Sequence, residues 1–242
     1  MRNSANSLGV YKREVINSKF YTFVFMLVHT MTVDEVCREL LLEWESVSRR
    51  GLSIAGLFND ELKRKHLTQG AKTVQYVSPR QNTWIYILTR TDAMRVNPVL
   101  YQYNENGISA YHIADRRGHK VIVIQTGHFF KRYHERLHLD IVKPLEIVKH
   151  YMRHTDFYKP AISHDSDEDK CLCMTEVYGG AALGYYIEEK NYLCMKTFVS
   201  NEMLGKSQRN ILECVRNNDP SLLQQFENAQ TGNWELIKGN IQ

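Results

Sequence analysis

The chain is poor in the residues that mark the special classes of protein. Its five cysteines, Cys37, Cys171, Cys173, Cys194 and Cys214, are an odd number without framework spacing. That excludes a disulfide-stapled miniprotein and predicts reduced thiols in a cytoplasmic protein. With 5 Pro and 13 Gly in 242 residues, neither a collagen-like repeat nor a Pro/Gly-rich linker fits. Long hydrophobic runs are missing too: the longest, Phe20 to Val28, covers nine residues, against the roughly 20 a spanning helix requires, so no membrane span is predicted. Nor does one sign of charge prevail. Lys and Arg number 31 and Asp and Glu 27, a net charge of +4, so any surface for a polyanion has to come from local clustering.

What is present is an ordinary globular composition, 43% hydrophobic and 24% charged, in a chain long enough to build a core without a structural metal. Residues 1–30 read as an upstream extension, because Met31-Thr32-Val33-Asp34-Glu35 has the form of a start that opens directly into a helix. Lys12, Arg13 and Lys19 precede the apolar stretch, but no small-residue cleavage site follows it, which disfavours a secretory signal. Thr32 with Glu35 is a capping-box pair, and Val33, Val36, Cys37, Leu40, Leu41, Trp44 and Val47 recur at helical spacing. A helix is predicted over 33–49 and a second over 54–66, making 31–70 a helical segment.

From Ala71 the apolar period changes to two. Runs around Val74, Trp84, Val99, Ile108 and Val121 are separated by Pro79-Arg80-Gln81-Asn82, Asn97-Pro98, Asn104-Glu105-Asn106-Gly107 and Arg116-Arg117-Gly118, which predicts an antiparallel meander of up to five strands. Helices are expected over 128–139 and from Pro144 to His154, then a polar loop ending in Asp165-Ser166-Asp167-Glu168-Asp169. Strands at 171–177, 181–187 and 192–199 follow, with helical pieces near 201–216 and 220–227. The fold class is α+β: N-terminal helices, an antiparallel meander, and a C-terminal helix-plus-antiparallel-sheet module, with one domain over 71–216 and a helical tail over 217–242.

One segment carries a chemical signal. Residues 128–154 hold six Lys/Arg, three Asp/Glu and five of the ten His. On a helix, Phe129, Phe130, Tyr133 and Leu137 fall on one side and His128, Arg132, Glu135 and Arg136 on the other. Guanidinium groups hold phosphate by forked charge-assisted bonds, an imidazole moves protons near neutral pH, and Glu135 can orient either partner. The bland alternative is a solvated charged face with pairs one turn apart. The order of His128, Arg132, Tyr133, Glu135 and Arg136 resembles a family of small domains whose helix reads H-A-x-x-R-M-x-E-R, grouped with the barnase, EndoU, colicin and RelE-like ribonuclease fold. The resemblance covers 128–200. It implies metal-independent RNA cleavage without a cofactor, with His128 as acid or base, Arg132 and Arg136 on the phosphate, Glu135 orienting them, and Thr197 or Lys196 facing them from the last strand. Lys131, Tyr133 and Lys196 would then contact RNA, and an inhibitory or acidic protein partner would fit the same cationic face. A non-catalytic module binding nucleic acid or protein is the alternative reading.

A third reading comes from His134-Glu135-Arg136-Leu137-His138, which matches the H-E-x-x-H pattern of zinc hydrolases, with His134 and His138 as ligands. Cys171 and Cys173 with His154 and His164 are a less regular metal set, and Asp165, Asp167, Asp169 and Glu176 match calcium-loop positions but with Lys170 where Gly is needed. The aromatic set Trp84, Tyr86, Tyr101, Tyr103 and Tyr111 is either a stacking platform for single strands or, more simply, a series of cross-strand pairs.

Overall fold

The computed structural model describes residues 27–116, 119–155, 160–163, 171–217 and 234–236. Of the polar loop expected over 155–169, residues 160–163 are a strand and the acidic part at 165–169 lies outside the described residues, as do most of the upstream extension and the helix at 220–227.

Helix α1 (Val33–Arg64) opens with the capping box the sequence announces: the Glu35 amide donates to Thr32 Oγ1, and the Thr32 amide to the Glu35 carboxylate. It is a single helix of 32 residues where two were expected. Gly51 lies inside it because α1 crosses the sheet there; a Cβ would sit 3.0 Å from the Tyr86 ring and 3.1 Å from the Val96 side chain. The glycine serves close approach, and the helix tolerates its cost of about 1 kcal/mol through the packing gained on either side.

The strands are β1 (Gly70–Val77), β2 (Thr83–Arg90), β3 (Met94–Asn104), β4 (Gly107–Arg116), β5 (His119–Gln125), β6 (Pro160–Ser163), β7 (Cys171–Val177), β8 (Gly180–Ile187), β9 (Tyr192–Ser200) and β10 (Trp234–Leu236). Together they make one sheet in the order β1-β2-β3-β4-β5-β9-β8-β7-β6-β10. Neighbours are antiparallel throughout, except that β5 and β9 run parallel from Ile122↔Tyr192 to Gln125↔Met195. Two meanders therefore meet along a parallel seam. Asn97-Pro98, expected as a turn, lies within β3, and part of the expected helical tail is strand β10.

Helices α2 (Gly127–Arg136) and α3 (Pro144–His154) cover one face of the sheet, packing on Ile85, Ile87, Val123, Leu193, Met195 and Phe198. The other face carries α1 over Trp84, Tyr86, Leu88, Leu100 and Tyr111, and α4 (Lys206–Asn217) over Ala161, Met174 and Ala181. The result is three layers, helices on both faces of a mostly antiparallel sheet. Trp84, Tyr86 and Tyr111 are buried under α1 and Tyr101 is partly buried against the opposite layer, which leaves Tyr103 as the exposed member, so the aromatic set makes no continuous platform for bases.

Candidate functional site

Helix α2 leaves β5 with no intervening loop. The Thr126 amide donates to the Met195 carbonyl at 3.2 Å, and its hydroxyl caps the helix by accepting from the Phe129 amide at 3.3 Å. Gly127 is pressed on the Asn106 carbonyl of the β3–β4 hairpin, where a Cβ would clash with backbone. The start of α2 is thus fixed by three strands.

The apolar side anticipated for this helix is the one it buries. Phe129, Phe130 and Tyr133 are at most 1% exposed. The rings of Phe129 and Tyr151 meet edge to face at 5.1 Å, as do those of Tyr133 and Phe198. This places Tyr133 in the core, correcting its assignment as an RNA contact. Its hydroxyl lies 3.0 Å from His150 Nδ1, and burial raises its pKa.

On the outer side, His128, Lys131 and Glu135 are exposed and Arg132 half-exposed. Arg132 Nη1 lies 3.1 Å from Glu135 Oε2, and both side chains are 42% exposed, so water competes for the pair and its stabilisation is small. Arg136 behaves differently: its guanidinium donates to the Phe198 carbonyl of β9. It is an anchor between helix and sheet, with its phosphate role correspondingly reduced.

Thr197 is the second correction. Strand alternation from Leu193 and Met195 puts Thr197 under α2, but the β8–β9 register jumps from Gly184↔Met195 to Leu183↔Thr197. Lys196 is the extra residue of a β-bulge, so every later side chain changes face. Phe198 joins Leu193 and Met195 beneath α2, while Val199 packs with the α4 layer. Thr197, two residues before Val199, shares its face and points away from α2. Lys196 is exposed and directly follows Met195, the residue bonded to Thr126. Hence His128, Lys131, Arg132 and Glu135 share one surface, Lys196 emerges beside its origin, and Arg136, Tyr133 and Thr197 do not complete a catalytic set there.

The H-E-x-x-H reading fails on backbone geometry. The helix ends at Leu137, whose amide bonds back to Tyr133 and Glu135, and His138 takes a left-handed conformation with φ 49°. His134 and His138 therefore do not stand one turn apart on a helix, as paired zinc ligands must. Among the described residues no group of three or more His, Cys, Asp or Glu is arranged to hold a metal ion.

Sequence reasoning missed one cluster. His150 and His154 on α3 have ring centroids 4.3 Å apart, and Tyr178, in the β7–β8 turn, lies 4.9 Å from His154. Desolvation, with the neighbouring His154 and Arg153, holds the His150 pKa below the usual imidazole range. Their four-residue spacing was a visible signal for the histidine pair; the arrival of Tyr178 from a distant turn was not. Among the described residues no helix is long and apolar enough to cross a membrane. Comparison with protein-family models, with curated proteins and with solved structures finds no match to this chain.

Proposed function

We propose that this protein is a non-catalytic binding module for RNA, engaging the phosphate backbone through the outer surface of α2 and α3. The carrying observation is the division of labour on α2: its aromatic side is fully buried, and the side left to solvent presents His128, Lys131 and Arg132. Over 128–154 six Lys/Arg stand against three Asp/Glu. Lys131 and Lys143 are exposed and form no ion pair among the described residues, so they reach a phosphate without first breaking a bond. Binding is favoured over cleavage because Thr197 belongs to the other face and Arg136 is committed to the Phe198 carbonyl. One exposed imidazole beside Lys and Arg binds charge, but it supplies neither a second proton-transfer group nor a fixed oxyanion site.

Titration of a fluorescent single-stranded RNA by anisotropy tests this. Affinity should fall as salt rises, with a slope that shrinks by about 0.7 for each of Lys131→Ala and Lys143→Ala, since each phosphate contact releases counterions. The full chain should leave the RNA intact. Absence of binding at low salt, or salt-independent binding, overturns the proposal. Cyclic-phosphate products that vanish in His128→Ala would restore the ribonuclease reading.

A further inference from the structure

Among the described side chains only two of the Phe, Tyr and Trp residues are exposed, Tyr103 at 51% and Tyr178 at 48%. A single exposed aromatic is ordinary. These two stand at opposite ends of α2. Tyr103 belongs to the β3–β4 hairpin, whose Asn106 carbonyl is pressed on Gly127, the first residue of the helix. It lies on the α2 side of the sheet: Tyr101, two residues earlier, packs against that layer, and Ile108, its partner across the ladder, is buried in it. Tyr178 belongs to the β7–β8 turn, where a Cβ on Gly179 would sit 2.7 Å from the Leu137 side chain that ends α2.

Both rings are held from one side. Tyr101 meets Tyr103 edge to face with centroids 5.9 Å apart, and His154 and His150 lie 4.9 Å and 5.8 Å from Tyr178. These contacts narrow the choice of rotamers while about half of each residue stays open to water. A ring fixed beforehand loses little freedom when a planar group stacks on it. The ten residues of α2 rise 1.5 Å each, which puts its ends about 15 Å apart. His128, Lys131 and Arg132 stand on the helix between the two tyrosines.

We infer that Tyr103 and Tyr178 are two base-stacking posts and that the RNA bound along α2 is single-stranded, its phosphates following the helix while one unpaired base stacks at each end. A duplex does not fit this arrangement, because its bases are already paired and stacked on one another and offer no face to either ring. The inference rests on the phosphate-binding reading of α2 and adds to it the strandedness of the ligand.

The test compares, on the full chain and at one low salt concentration, fluorescein-labelled dodecauridylate with a ribose-phosphate strand of the same length and charge that carries no bases. Dodecauridylate should bind at least about tenfold tighter, since only it can stack. Tyr103→Ala and Tyr178→Ala should each weaken it by about tenfold, with the salt slope unchanged because neither ring releases a counterion. Tyr103→Phe and Tyr178→Phe should keep the wild-type affinity, and both alanine variants should bind an RNA duplex as the wild type does. Equal affinity for the two strands, or alanine variants that hold dodecauridylate as tightly as the wild type, would overturn the inference and leave the phosphate reading standing. A loss in one alanine variant alone would overturn the pairing of the posts. If neither strand binds, the phosphate reading fails and this inference falls with it.

Discussion

The two main helical layers are fastened to the same sheet by different means. Under α1 the ties are polar and directional. The Glu43 carboxylate accepts from Trp84 Nε1 at 2.9 Å and Asn82 Nδ2 at 3.0 Å, Glu39 takes a two-pronged bond from Arg80, and the Tyr86 hydroxyl donates to the Val47 carbonyl. Under α2 and α3 the ties are aromatic: Phe129, Phe130, Tyr133, Tyr151 and Phe198 interlock edge to face. A long helix joined to the sheet through one short turn can slide and roll, and hydrogen bonds of fixed geometry stop both motions. A ten-residue helix that leaves its strand without a loop is already oriented, so packed bulk does most of the holding and the bond from Arg136 to the Phe198 carbonyl adds to it. The difference also explains where charge goes. The α1 layer spends acidic groups inside, while α2 keeps its ionic groups on the surface.

The largest expected effect removes the aromatic fastening. Phe129→Ala, at a position with no exposure, should cost about 4 kcal/mol in urea unfolding through lost burial and an unfilled cavity. Glu43→Ala should follow at about 3 kcal/mol, because it leaves the Trp84 donor buried without an acceptor and Asn82 with only its longer bond to Glu39. Glu43→Gln, which keeps one acceptor, should cost less. A loss below about 1 kcal/mol for Glu43→Ala would mean that α1 is held by apolar burial like the other layer.

Between the layers stands His112, 3% exposed, whose pKa burial pulls down to about 3. The unfolded chain takes up this proton as pH falls below about 6.5, and the folded chain does not until about pH 3. Stability is therefore flat above that upper value and declines below it, by about 2 kcal/mol from pH 7 to pH 5. His112→Gln should lose that part of the decline, and identical pH profiles for the two proteins would refute the assignment. The smallest effect belongs to the bond between Tyr133 and His150 within the aromatic layer. Tyr133→Phe should cost about 1 kcal/mol, since the half-buried His150 Nδ1 finds water instead. A larger loss would give the two layers a common logic.

Much of this architecture is legible in the residues. Period-two runs marked β1–β5 and β7–β9, though not β6 or β10, and the 3.6-residue pattern marked the buried side of α2, because each pattern follows from local geometry alone. Local signals misled where tertiary demands took over. Gly51 resembles a helix break and is a crossing point; Pro98 resembles a turn and lies within β3. The face of Thr197 depends on a bulge at Lys196 that no composition rule announces. The exposed half of the candidate site was readable on one helix. The commitment of Arg136 to a carbonyl of β9, 62 residues away, was not.

The parallel seam between β5 and β9 also sets an order of assembly. Strands β1–β5 and β6–β9 are each stitched from sequence neighbours and can form early, but the seam joins Ile122 to Tyr192 and, like the β6–β10 pairing, must wait for the chain between to loop back. Substitutions along the seam, such as Leu193→Ala, should then speed unfolding more than they slow folding, and stopped-flow kinetics that put the loss in the folding rate would reverse that order. The centre of the finished sheet would be the last part of it to close.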